Sequence, residues 1–364
     1  MPALPSNAKL VMSVSESVAA PEWDNFLEGT HLGQFQQSSL WASYKIFEGW
    51  TPLRYIFSAG SGIAGGFQIL CKETRFGQLG YLSKGPVFPD ASKDALEHII
   101  VQLVQSIRDK KLTALIVQPP DECNQFPDIL NRCGFLDGKP LGVIDATMFI
   151  PMDRDFTAVE GMLDRNTRKK IRQAEKRGIS IREGNVADLA TFFELMTNSC
   201  RRQEDDRPNP SSVFLLQQLW EKFYPAGRCR LTFAVHEGTV LAGLFCLIFG
   251  NRVTFWKKGW SGERADLRPN ECLYADAISC TYRNDFSLCD FVGMDRDIAG
   301  RLLTGKPLSK TQEQSRDMFN LRFGGVPKLL PKAMIYFRSK AIGQAYAALN
   351  KVKAFRSIIK SFSP

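Results

Sequence analysis

The sequence is poor in histidine: His31, His98 and His236 are the only three in 364 residues. It holds no HExxH or HxxxE pattern, and none of its nine cysteines forms a CxxC pair. These absences argue against a metal enzyme, because zinc sites are built on such spacings. No cofactor and no metal are expected. Scattered, unpaired cysteines also suit a reducing cytoplasm better than a disulfide framework. Apolar runs such as Ala242–Phe249 fall far short of the roughly 18 residues that a membrane span needs. The opening MPALPSNAKL lacks the charged-then-apolar shape of a secretory leader. The expected location is therefore the cytoplasm.

Acidic residues are missing from the end of the chain. After Met318 there is no Asp or Glu, but nine Lys and Arg, which match the net charge of +9 and leave residues 1–317 neutral. A neutral body with a basic tail differs from a uniformly basic nucleic-acid binder. Such a tail suits RNA, a membrane surface or a phosphorylated carrier, and equally a solvated helix face. The composition, 44% hydrophobic and 23% charged, is that of a soluble globular chain of about two domains.

Strand patterns occur at Arg54–Phe57, Ile63–Lys72, Leu79–Phe88, Ala114–Val117 and Ala146–Ile150. Between them, Asp94–Lys110 carries Leu96, Ile99, Ile100, Leu103, Val104 and Ile107 on one helical stripe. Phe126–Cys133 reads as a short helix closed by Gly134. The second half opens with one basic helix over Thr157–Arg177, stopped by Gly178. A strand at Ile179–Arg182 and helices at Val186–Gln203 and Ser211–Phe223 follow. A three-strand meander over Arg230–His236, Val240–Phe249 and Arg252–Lys258 comes next. Then come a helix at Asn270–Tyr282, a strand at Leu288–Val292 and a helix at Gln312–Arg322. Lys340–Ser363 reads as an amphipathic basic helix.

The halves look alike. Ile56–Gly66 and Thr232–Gly243 are each a strand, a glycine turn and a strand opening on Ala-Gly. Each is followed by a strand, a long helix, a short strand and a helix ending in glycine. Hairpin, helix and strand in this order is the layout of a GNAT acyltransferase domain, here in tandem. The expected fold is mixed α/β, with units at 1–155 and 156–325 and a basic C-terminal helix at 326–364 packing back on the first.

Several segments resemble the Fem (FemAB-like) family of non-ribosomal aminoacyltransferases. They are Phe35-Gln36-Gln37-Ser38-Ser39-Leu40-Trp41-Ala42-Ser43-Tyr44-Lys45, Tyr81-Leu82-Ser83-Lys84-Gly85-Pro86-Val87 and the stretch Asn166–Lys176. Leu267-Arg268-Pro269-Asn270, Cys289-Asp290-Phe291-Val292-Gly293 and Phe319-Asn320-Leu321-Arg322-Phe323-Gly324-Gly325 complete the set, in the family's order. The resemblance implies transfer of an amino acid from aminoacyl-tRNA to an amine of a lipid-linked or nucleotide-linked cell-envelope precursor. It also implies action at the inner membrane face. No coiled-coil arm interrupts the basic helix, as in the arm-less branch. One departure stands at the expected reaction centre, where the family's Phe-Lys is Phe319-Asn320; Arg322 is the nearest cation in sequence. In Cys200-Arg201-Arg202-Gln203 the Arg matches, but the aromatic that often follows is absent.

Amide formation from an activated ester needs a neutral, aligned amine and donors for the oxyanion, with no Ser-His-Asp signature. Candidate catalytic residues are Asp290, Asn320 and Arg322. Asp290 reads either as a base at a strand end or as a turn aspartate. Gln37, Trp41, Lys45 and Arg202 are candidates for substrate binding, with Lys45 and Arg202 directed at a diphosphate. Trp41 and Lys45 share a helical face, on which Trp41 reads as core before ligand platform and Lys45 as a ligand or an ordinary surface lysine. Arg168, Lys169, Arg172 and Lys176 are candidates for tRNA or membrane contact, with Ile171 and Ala174 as that helix's buried stripe. Lys257 and Lys258 must point to opposite faces, so at most one meets a cleft. The alternatives are an acyl-CoA-dependent N-acyltransferase and a non-catalytic Fem-like binding module. Against the first, Arg268–Leu273 lacks the glycines of a CoA turn and places an acid beside the phosphates, and Pro89-Asp90-Ala91-Ser92 likewise fails.

Overall fold

Two seven-stranded sheets carry the chain. The computed structural model describes residues 10–75, 77–89, 92–138, 143–153, 155–203 and 208–349. The chain begins with β1 (Val11–Ser15), α1 (Pro21–Glu28), α2 (Ser39–Lys45), β2 (Thr51–Ala59), β3 (Gly62–Thr74) and β4 (Gly77–Ser83). It continues through α3 (Lys93–Asp109), β5 (Ala114–Gln118), α4 (Phe126–Arg132) and β6 (Leu136–Asp137). The second unit contains β7 (Ala146–Pro151), α5 (Phe156–Met162), α6 (Arg165–Lys176), β8 (Ser180–Glu183), α7 (Leu189–Arg202) and α8 (Val213–Phe223). Then come β9 (Cys229–His236), β10 (Thr239–Phe249), β11 (Arg252–Trp260), α9 (Pro269–Arg283) and β12 (Leu288–Asp290). It closes with α10 (Arg296–Leu303), α11 (Lys310–Glu313), α12 (Arg316–Leu321) and β13 (Val326–Leu329). Finally β14 (Met334–Phe337) and α13 (Lys340–Leu349) rejoin the first unit.

The first sheet has the order β1-β2-β3-β4-β5-β14-β6, and the second β13-β7-β12-β11-β10-β9-β8. The expected mixed α/β fold is what forms. The compact units are residues 1–145 with 330–364, and residues 146–329. The boundary lies earlier than residue 155 because β7 pairs with β12 and β13 of the second sheet. The chain returns to the first unit as a strand before it becomes a helix: β14 is antiparallel to both β5 and β6. Residues 350–364 of the expected C-terminal helix lie outside the described residues.

Periodicity sets the cores. In α3 the stripe Leu96, Ile99, Ile100, Leu103 and Ile107 is buried against the first sheet, each side chain contributing about 1.5–3 kcal/mol. In the second unit α7 lies close on β11, where a side chain at Gly259 would meet Leu195 and the backbone of Met196. The expected single basic helix is two, α5 and α6. Asp164 breaks it by accepting from the N–H groups of Asn166 (2.9 Å) and Thr167 (3.0 Å) as the cap of α6. The expected Gln312–Arg322 helix divides likewise into α11 and α12 at Ser315.

A chain ending at Leu329 loses β14 and leaves β5 without its antiparallel partner. Hydrogen exchange of such a chain is expected to show protection lost at Leu115–Val117 and retained in β9–β11. Unchanged protection at β5 would show that β14 is dispensable.

Candidate active site

The second sheet opens between its parallel strands. β11 pairs with β12 from Arg252 opposite Leu288 to Thr254 opposite Asp290, and there the ladder stops. β11 runs on to Trp260, held by β10. β12 is drawn the other way, since the Phe291 N–H donates to the Met148 carbonyl of β7 (3.0 Å). The turn that follows puts Val292 at φ +47° and Gly293 at φ +87°. A β-branched residue in that region costs about 1–3 kcal/mol and persists where its surroundings enforce it. Asp290 does so. Its carboxylate accepts from the Val292 N–H (3.0 Å), the Thr147 hydroxyl (2.7 Å) and the Arg252 guanidinium (3.3 Å). Asp290 is thus buried and engaged on both oxygens. This is the geometry of the turn aspartate, one of the two sequence readings.

An aromatic floor underlies the opening. Tyr274 of α9 lies 5.4 Å from Phe291, 5.6 Å from Phe319 and 5.0 Å from Phe323 between ring centroids. Above it sits Lys258, its Nζ 5.0 Å from the Tyr274 centroid and 4.9 Å from that of Phe319. Lys257, on the other strand face, lies over Trp256. Asn320 follows Phe319 in α12 and is only 4% exposed. Its Oδ1 is buried with no hydrogen-bond partner among the described residues, which is costly for an amide. Arg322, the residue that caps α12, is exposed where Asn320 is buried. The cation beside α12 comes from β11.

In the first unit, Gln37 is wedged between two parting strands. The β3–β4 ladder ends at Leu70 opposite Tyr81. Where the strands part, the Gln37 side chain donates to the carbonyls of Ser83 (2.6 Å) and Gln68 (3.1 Å) and accepts from the Gln68 N–H (2.8 Å). Gln37 is fully buried. Gln68 in turn donates to the Ser38 carbonyl (3.0 Å) and accepts from buried Arg54. Lys45 is half-buried in an ion pair with Glu48. Its Nζ lies 5.5 Å from the Trp41 centroid and 6.0 Å from that of Trp50, with Lys72 5.5 Å from Trp50. Burial pulls the Lys45 ammonium below its ordinary range, opposed by Glu48. Trp41 therefore serves both as core and as the floor of a two-lysine cluster.

Arg202 is likewise engaged by backbone carbonyls. It donates to the carbonyls of Trp260 (2.5 Å) and Ser261 (2.9 Å) and stacks 4.7 Å over the Trp260 ring. Its guanidinium thus secures the end of β11 to α7 instead of presenting a bidentate face.

On α6 the stripe Thr167, Ile171 and Ala174 is buried, and the other faces are cationic. An open bay of about 540 Å³ is lined by Arg165, Arg168, Lys169, Arg172, Gln173 and Lys176, with no acid. The Nε of Arg168 is buried there without a partner. A groove of about 560 Å³ runs along the helix's other flank, sharing Arg168 and Arg172 and meeting Ile171, Ile179 and Ile278.

Sequence reasoning left Lys258 unassigned between two faces and missed Lys72. Only the signal that one of two adjacent strand lysines must face inward was available. Burial pushes the thiols of Cys71, Cys229, Cys272 and Cys289 up to about 12, so none of these four is a thiolate nucleophile near neutral pH.

Comparison with known proteins bears out the family resemblance. Residues 18–129 match the FemAB family, and residues 163–298 match the acetyltransferase (GNAT) domain. A lipid II:glycine glycyltransferase of Staphylococcus saprophyticus is 26% identical over 220 residues, 57% of this chain and 52% of that protein. Its counterpart in Staphylococcus aureus strain MRSA252 is 28% identical over 187 residues, 48% of this chain and 44% of that protein. The chain thus spans about half the length of these relatives. The crystal structure of FemX superposes with a TM-score of 0.75 at 17% identity, covering 89% of this chain and 97% of FemX. A tandem GNAT protein from the clavulanic acid biosynthesis pathway does so with a TM-score of 0.56 at 11% identity, covering 91% and 99%.

Replacing Gln37 by Ala leaves the backbone of Gln68 and Ser83 unpaired in the core and is expected to cost roughly 2–3 kcal/mol, read from urea unfolding. A loss of substrate affinity at full stability would return Gln37 to the site.

Proposed function

We propose that this chain, a Fem-like protein of two tandem GNAT units, is an aminoacyltransferase. It moves an amino acid from aminoacyl-tRNA to an amine of a lipid-linked peptidoglycan precursor. The observation that carries this reading is the stretch of 57% of the chain shared with a lipid II:glycine glycyltransferase. In the reaction, the neutral amine attacks the ester carbonyl carbon. The oxyanion collapses, the ribose oxygen leaves and is protonated, and the amine gives up a proton. Positioning supplies most of the acceleration in such a transfer.

Each unit offers chemistry that supports the reading. The acid-free bay on α6 suits the phosphates of an RNA backbone, with Arg165, Arg168, Lys169, Arg172 and Lys176 as its contacts. The pair Lys45 and Lys72 over Trp50 suits the diphosphate of the acceptor, with Trp41 beneath Lys45. No helix among the described residues is long and apolar enough to cross a membrane.

Acyl-CoA is disfavoured as donor. At the start of α9 the first turn is Pro269-Asn270-Glu271, with Glu271 buried and no glycine. A pyrophosphate there meets a carboxylate instead of free N–H groups. The equivalent turn of the first unit includes residues 90 and 91, outside the described residues.

The reading is tested with purified protein, charged tRNA carrying labelled amino acids, and lipid-linked precursor, with and without RNase. RNase-sensitive incorporation is expected; incorporation that ignores RNase and follows acyl-CoA would overturn the donor. The Lys169→Glu/Arg172→Glu variant is expected to weaken tRNA binding and to reduce the slope of log K against log salt by about 2. An unchanged slope would remove α6 from the tRNA surface.

A further inference from the structure

We infer that Lys258 is the cation of the reaction centre, its ammonium donating to the donor's carbonyl oxygen as that oxygen becomes an oxyanion. The inference rests on the transferase reading above and deepens it.

Three observations meet at one place. The first is the parting of β11 from β12. Past Thr254 the far side of β11 faces the opening, and Lys258 lies on this stretch. The second is how the lysine is held. Two ring faces, Tyr274 and Phe319, lie within about 5 Å of Nζ, and among the described residues no carboxylate pairs with it. An ammonium on aromatic faces keeps its charge and its N–H donors, because ring quadrupoles attract it without accepting strong hydrogen bonds. Lys84 by contrast is consumed by Asp121 at 2.5 Å in the interior. The third is Asn320, one residue from Phe319, with a buried Oδ1 that nothing in the described structure satisfies. A buried amide oxygen without a donor suits a donor brought by substrate, such as the attacking amine N–H.

The arrangement therefore offers a donor for the carbonyl oxygen and an acceptor for the amine, on neighbouring elements. As the amine nitrogen bonds to the carbonyl carbon, the carbonyl π pair moves to oxygen and meets the Lys258 ammonium. When that pair re-forms the carbonyl, the ester C–O bond breaks and the ribose oxygen takes the proton that the attacking amine gives up. Lys258 starts and ends as an ammonium, so no other reactant is needed. Removing one such donor usually lowers turnover and leaves ground-state binding alone, since the charge exists only in the transition state.

The test compares wild type, Lys258→Met and Lys258→Arg, with RNase and acyl-CoA arms for the donor. Met keeps the length and the packing on Tyr274 and Phe319, so unfolding midpoints are expected to match. Lys258→Met is expected to lower kcat by about 100-fold with KM for both substrates within about threefold, and Lys258→Arg to restore part of it. Wild type that transfers from aminoacyl-tRNA while Lys258→Met keeps its kcat would overturn the inference and leave the transferase reading standing. A raised KM with unchanged kcat would also overturn it, making Lys258 a binding residue. If wild type uses acyl-CoA instead and Lys258→Met loses that turnover, the inference stands and the tRNA donor falls. A wild type inactive with both donors overturns the transferase reading and the inference together.

Discussion

Wherever a β-sheet parts, the backbone groups along the gap must find partners or be used. The two units of this chain meet that constraint differently. In the first, β3 and β4 separate beyond Leu70 and Tyr81, and the Gln37 amide fills the gap by bonding to Gln68 and Ser83. In the second, β11 and β12 separate after three residue pairs, and the turn at Val292 and Gly293 carries β12 away. One gap is closed by a side chain. The other is left as an opening lined by Lys258 and a wall of aromatic rings.

The same contrast governs charge. In the first unit, Lys84 is buried against Asp121 just after β4, and the Gly85 N–H donates to the Gln118 carbonyl. Cations near that strand end are therefore spent on the fold. In the second unit Arg252 is spent on Asp290 and Arg202 on the end of β11, but among the described residues no carboxylate pairs with Lys258 or with Arg165, Arg168, Lys169, Arg172 and Lys176 of α6. Buried pairs add little net stability when both members are present, and cost several kcal/mol when one is removed. In sequence Arg202 is as much a candidate as the α6 cations, and only the carbonyls around it set it apart.

Residues whose role follows from local pattern were legible. Ile171 and Ala174 are buried in α6 as their spacing requires, and the α3 stripe and the meander lie where periodicity places them. Residues whose role depends on a distant backbone group were not. Gln37 reads as a substrate-binding candidate, and its bonds to Gln68 and Ser83 appear only when those strands are set beside it. Arg202 looks like a diphosphate ligand until the carbonyls of Trp260 and Ser261 arrive. Asp164 is a local cap that could have been read, since an Asp two and three residues before N–H groups of a helix start is a common breaker of a longer pattern.

The amino-acid sequence by itself determined the doubled α/β plan, the neutral body and the one-sided charge of α6, because periodicity and composition act over a few residues at a time. It also placed Asn320 where the resembled family has a lysine. Only the tertiary structure decided which cation stands beside that asparagine. Lys258 and Phe319 are far apart in the chain, and their contact is set by how α9 and α12 pack on the parted strands. Packing of this kind depends on many non-local contacts at once, so no short segment encodes it.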